Sequence, residues 1–108
     1  MKAKVKKVMI VDDNEFDCYI TSKIVTNFDE NIDIMEFNSS ITAIQYLEEF
    51  QNVTAKLPDL ILLDIYMPVL DGFEFIEKYQ LIVQTRNPKT WDYLETIYKE
   101  NYISILSK

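Results

Sequence analysis

The spacing of apolar and polar residues changes along the chain, and each change marks a predicted element. Val5 to Val11 is a short apolar run rich in β-branched residues, which reads as a strand. Asp12, Asp13 and Asn14 break it and can cap the helix that follows. From Glu15 to Phe28 the residues Phe16, Ile20, Ile24 and Phe28 recur every four positions, one face of a helix. Ile32 to Phe37 alternates apolar with acidic residues, as an edge or half-buried strand does. Asn38 and Ser39 offer the next cap, and Ile41, Ile44, Leu47 and Phe50 the next helical face. Residues 51–58 form a polar connection ending in Pro58. Leu60 to Leu63 is a continuous apolar run between Asp59 and Asp64, the pattern of a central strand covered on both faces. The loop Ile65 to Asp71 contains Pro68 and leads to Gly72, the chain's only glycine; a third helix starts near Phe73 and carries Ile76, Tyr79 and Val83.

Strand and helix alternate three times, so the predicted class is α/β with a doubly wound parallel sheet. The last quarter is less regular. Asn87-Pro88 reads as a helix start, Trp91, Leu94 and Tyr98 then share a helical face through about Asn101, and Tyr102 to Leu106 is a final strand-like run.

Composition narrows the chemistry. A length of 108 residues suits one domain, residues 1–108, with a core large enough to stand without staples. The net charge of -7 and the lack of a basic patch speak against a nucleic-acid partner. No window approaches the ~20 apolar residues of a membrane span, and Val8 to Val11 is too short for a signal core. Cys18 stands alone, which rules out an internal disulfide, fits a reducing cytoplasmic setting, and marks it as small core filler. The chain has no histidine, which removes histidine general-base catalysis, Ser-His triads and most zinc sites. Carboxylates, hydroxyls and a metal are what remain.

In an open parallel sheet, ligands bind beyond the carboxyl ends of the strands. Asp12 and Asp13 end the first predicted strand and Asp64 ends the third. If those strands are neighbours, three carboxylates converge and invite a hard divalent cation, for which Mg²⁺ is the best fit. Taken singly, each could be no more than a cap or a strand terminator; two such segments, each directly after an apolar strand, favour a site.

The segment Val8-Met9-Ile10-Val11-Asp12-Asp13-Asn14 resembles the first strand and acidic pair of response-regulator receiver domains. Leu60-Ile61-Leu62-Leu63-Asp64-Ile65-Tyr66-Met67-Pro68-Val69-Leu70-Asp71-Gly72-Phe73 closely resembles their phosphorylation segment. The resemblance covers residues 5 to about 84 and implies a flavodoxin-like receiver fold in two-component signalling. It implies that Asp64 accepts a phosphoryl group from a histidine kinase or phosphotransfer protein. Asp13 and Asp64 would bind Mg²⁺ directly, with the backbone carbonyl of Tyr66 as a further ligand and Asp12 acting mainly through metal-bound water. Such a domain accepts and loses its phosphoryl group without being a turnover enzyme, and signals through protein contacts.

Receivers also carry a Ser or Thr after strand four and a Lys after strand five, and here two registers compete. In the first, Tyr102 to Leu106 is strand four, Ser107 is the switch hydroxyl, and residues 85–101 form an enlarged connection with an extra helix. In the second, Leu81 to Gln84 is strand four, Thr85 is the hydroxyl, and Lys108 is the family's lysine. The second leaves little chain for the third helix and its return, and the amphipathic face running on through Val83 favours the first. The first register leaves the fold incomplete at the C-terminus, with an exposed strand edge, so that a shortened chain or a homodimer is expected.

Two other readings were weighed against this one. An Mg²⁺-dependent phosphohydrolase with an aspartate nucleophile typically has a second Asp two positions later, where this chain has Tyr66. A pseudo-receiver, an interaction module that takes no phosphate, is favoured by the doubtful lysine and opposed by Asp12, Asp13 and Asp64.

Overall fold

Three short apolar segments form parallel strands: β1 (Lys7–Val11), β2 (Asp33–Phe37) and β3 (Leu60–Asp64). The computed structural model describes the backbone of residues 5–86, 94–99 and 102–107. Helices α1 (Glu15–Phe28), α2 (Ser40–Glu49) and α3 (Gly72–Arg86) connect and follow these strands. Strands β4 (Leu94–Lys99) and β5 (Tyr102–Ser107) complete a sheet of order β2-β1-β3-β5-β4. The family of architectures expected from the sequence is present: a flavodoxin-like α/β sheet with helices on both faces.

Side-chain alternation divides the core into two layers. Met9 and Val11 of β1 and Ile61 and Leu63 of β3 pack with Ala43, Ile44 and Leu47 of α2 and Phe75, Ile76 and Tyr79 of α3. Val8 and Ile10 point to the other side, against Cys18 and Val25 of α1, with Leu60 and Leu62 alongside. The period of two along each strand produces this division. Burial pushes the Cys18 thiol up to about 11, with Glu36 and Asp12 adding to the shift, so it stays protonated at neutral pH and acts as core filler.

Three features refine the expectations. The Phe16, Ile20, Ile24 and Phe28 stripe forms one face of a helix, as expected; that face is turned outward, and Phe28 is 86% exposed. The side of α1 that meets the sheet carries Cys18 and Val25 instead. Secondly, Leu94 to Lys99 is a strand rather than part of a helix. Its Thr, Ile and Tyr suit a pleated surface, and pairing with β5 decides the outcome over the helical spacing. Thirdly, β5 does follow β3 in the sheet, but it runs antiparallel to it and its far edge is covered by β4. Asn87, Pro88 and Trp91 lie outside the described residues, as does Lys108.

The two helix faces differ sharply in their expected energetics. Phe75→Ala, at a site with no exposed surface, is expected to lower the unfolding free energy by about 3–5 kcal/mol. Phe28→Ala should change it by less than about 0.5 kcal/mol. Urea titration of the two variants beside wild type checks both.

Candidate functional site

Parallel pairing of β1 with β3 aligns Val8 with Leu60 and Val11 with Leu63. The residues that follow Val11 therefore meet the end of β3. Asp12, Asp13 and Asp64 each bring one carboxylate oxygen to within 4.8 Å of the others. At an effective dielectric of ~20, two charges at that distance repel by roughly 3 kcal/mol. Asp12 is buried, Asp64 half-buried and Asp13 exposed. The three residues brought together here are the ones expected from the sequence.

Local hydrogen bonds hold Asp12 and Asp64 in place. The Asp12 N–H donates to the Phe37 carbonyl at 3.0 Å, tying the end of β1 to the end of β2. Asn38 Nδ2 donates to the Asp12 carbonyl at 3.0 Å, and Asp12 Oδ1 accepts from the Asn14 N–H at 3.0 Å. Asn14 in turn caps α1, its side chain accepting from the Asp17 N–H. Asp64 Oδ1 accepts from the Tyr66 N–H at 3.1 Å. Burial raises the Asp64 carboxyl to about 6, the Tyr66 N–H pulls the other way, and the nearby Asp12 and Asp13 raise it further.

The segment after Asp64 turns sharply into α3. Gly72 donates its N–H to the Ile65 carbonyl at 2.8 Å. A Cβ at Gly72 would sit 2.8 Å from Ile65 Cα and 2.9 Å from the Asp64 carbonyl oxygen, so no side chain fits without moving the backbone that carries Asp64. Asp71 and Glu74 close the start of α3 reciprocally: Asp71 Oδ1 accepts from the Glu74 N–H, and Glu74 Oε1 from the Asp71 N–H. This capping box starts the helix at Gly72, one residue earlier than expected. The D-x-x-E spacing was its signal in the sequence.

Thr85 and Ser107 lie elsewhere on the backbone. Thr85 lies in the last turn of α3, so the register that makes Leu81 to Gln84 a strand does not hold. Ser107 pairs with Leu94, one residue beyond the Leu106 and Leu60 pair. That is the opposite end of β3 from Asp64, on the order of 15 Å along the strand. The cause is strand direction: β5 runs antiparallel to β3, so its first residue, Tyr102, stands opposite Asp64. Lys108 lies outside the described residues.

The donor set fits a hard divalent cation. All three groups are carboxylates, their oxygens face one another, and their mutual repulsion is relieved by positive charge. The Tyr66 backbone adjoins the same point through its bond to Asp64.

Comparison with known proteins agrees with the geometry. Residues 8–91 match the response regulator receiver domain family. The chain belongs to this family. It is similar to the transcriptional regulatory protein PrrA of Mycobacterium leprae (strain TN), with 36% identity over 70 residues, 65% of this chain and 27% of that protein. It is also similar to the peroxide stress-activated histidine kinase mak1 of Schizosaccharomyces pombe, with 31% identity over 77 residues, 68% of this chain and 4% of that protein. The chain thus spans a small part of both relatives.

Two outcomes follow from the site. Gly72→Ala is expected to cost about 1–3 kcal/mol of stability, read by urea denaturation, because backbone rather than a flexible side chain must yield. The second concerns pH in the presence of chelator. An ordinary Asp ionises near 3.8, whereas folded Asp64 keeps its proton to about 6. Between those values the folded state binds more protons, so this group's contribution to stability falls as pH rises through the window and stays low above it. Asp64→Asn should therefore stabilise the metal-free protein by about 1–2 kcal/mol near neutral pH, a figure discounted for solvent screening, with little gain below pH ~4. Thermal melts across pH measure this.

Proposed function

We propose that this receiver domain accepts a phosphoryl group on Asp64 from a histidine kinase or phosphotransfer protein, with Mg²⁺ held by Asp12, Asp13 and Asp64. The observation that carries the reading is the convergence of three carboxylate oxygens within 4.8 Å at the end of β1 and β3. An Asp64 oxygen forms a bond to phosphorus while the phosphorus–nitrogen bond to the donor's histidine breaks, the electron pair returning to the imidazole. The donor must supply that histidine, because this chain has none. Mg²⁺ supplies positive charge that offsets the repulsion between a carboxylate and an anionic phosphoryl group.

The remaining chemistry falls to the chain's own residues. Asp64 is held by the Tyr66 N–H, so the oxygen used for attack has a defined position. The product is a mixed anhydride, which water later cleaves at phosphorus, releasing inorganic phosphate and restoring the carboxylate. Tyr66 is 72% exposed and adjoins Asp64, where its ring can limit the approach of water. The protein is a reactant in this transfer, not a turnover enzyme.

The output is protein contact. Helix α1 begins just after the acidic pair and turns Phe16, Tyr19, Ile20 and Ile24 outward, exposed apolar area on which a partner protein can dock. Among the described residues no helix is long and apolar enough to cross a membrane. A cytoplasmic setting fits the buried, reduced Cys18.

A phosphate-independent interaction module is the second reading, favoured by the placement of Ser107 and Thr85 away from Asp64. Intact-mass measurement after incubation with acetyl phosphate and Mg²⁺ separates the two. One added phosphoryl group, absent in Asp64→Asn and absent with chelator, is the expected result. Folded wild-type protein that gains no mass would select the interaction module.

A further inference from the structure

Ser39 and Ser40 stand in tandem at the start of α2 but bond differently. Ser39 caps the helix, its hydroxyl accepting from the Thr42 N–H. Ser40 is 2% exposed and turns its hydroxyl away from its own helix. It donates to the Leu70 carbonyl at 2.7 Å, across a separation of 30 positions in the chain. Leu70 belongs to the loop that joins Asp64 to α3.

That loop contains a strained turn. The Leu70 N–H donates back to the Pro68 carbonyl at 2.8 Å, and Val69 between them has a φ of 70°. A β-branched residue avoids that region, because its side chain crowds the backbone. Val69 is 86% exposed, so packing of its own side chain does not hold the turn. The restraint comes from its neighbours: the Leu70 side chain is buried in the core and the Leu70 carbonyl receives the Ser40 hydroxyl. From Pro68 the chain reaches Tyr66 in two residues and Asp64 in four.

We infer that Ser40 is a positioning residue for the acceptor site, holding the strained Pro68–Val69–Leu70 turn through the Leu70 carbonyl and thereby fixing the backbone from Asp64 to Gly72. Its effect on phosphorylation rests on the proposed role of Asp64; its effect on the loop does not. Ser40 touches no reacting atom. It differs from the apolar anchors Ile65 and Met67 in acting on the turn at Val69, whose backbone conformation is unfavourable.

The test uses the whole chain with Ser40→Ala, Ser40→Cys, Val69→Gly and the pair Ser40→Ala/Val69→Gly. The Cys variant keeps the size of the side chain and loses a strong donor, so it serves if the Ala variant folds poorly. Hydrogen exchange is followed at the Leu70 and Gly72 amides against the amides of β1, and phosphorylation by acetyl phosphate at saturating Mg²⁺ by intact mass. Ser40→Ala and Ser40→Cys should speed exchange at the two loop amides, relative to β1, and slow phosphorylation, each by about fivefold. With Val69→Gly the turn is no longer strained, and the added effect of Ser40→Ala should shrink below about twofold. Loop exchange unchanged in the two Ser40 variants, or raised equally in β1, overturns the inference. Loss of equal size with and without Val69→Gly overturns it as well. If wild type itself gains no phosphoryl group, the acceptor reading fails and the exchange data alone decide the role of Ser40.

Discussion

The in-register parallel pairing of β1 with β3 is the constraint on which the site depends. It brings Asp12, Asp13 and Asp64 to one edge of the sheet, where their charges oppose one another. That repulsion disfavours folding. The opposing contribution comes from the strands behind the carboxylates: Met9, Ile10, Val11, Ile61 and Leu63 are almost wholly buried, each contributing roughly 1.5–3 kcal/mol. At the other end of the same pair, Asp59 Oδ2 accepts from the Lys6 and Lys7 N–H groups and locks the start of β3 to the start of β1. The register is thus fixed away from the site, and the acidic edge inherits it.

The loop after Asp64 depends on that edge in turn. Its residues alternate between buried Ile65, Met67 and Leu70 and exposed Tyr66 and Val69, so the side chains that could meet a ligand stand on a backbone anchored from below. Gly72 allows α3 to start in contact with the Asp64 and Ile65 backbone, and the Asp71 and Glu74 capping box sets where it starts. A flexible loop would lose configurational freedom on meeting a ligand. This one has already lost it on folding.

Much of this was legible in the sequence because it is local. Strand and helix periods gave β1, α1, β2, α2 and β3 nearly to the residue, and the carboxylates followed from their place at strand ends. What a helix stripe packs against is not local. The spacing of Phe16, Ile20, Ile24 and Phe28 says that α1 has an apolar stripe, yet the sheet takes the side holding Cys18 and Val25. The role of Ser40 is not local either, because its partner lies in a distant loop.

The C-terminal misreading has a different origin. Tyr102 to Leu106 was recognised as strand, and its place beside β3 was expected, but the direction of a strand is decided by its connection and its partners. Parallel, β5 would deliver its last residue to the acidic edge; antiparallel, it delivers its first. That single choice moves Ser107 to the far end of the sheet and sets Tyr102 opposite Asp64. The covalent route onward from Asp64 is the loop from Ile65 to Asp71, which is bonded to α3 through Ile65 and Asp71 and to the head of α2 through the Ser40 hydroxyl, which donates to the Leu70 carbonyl.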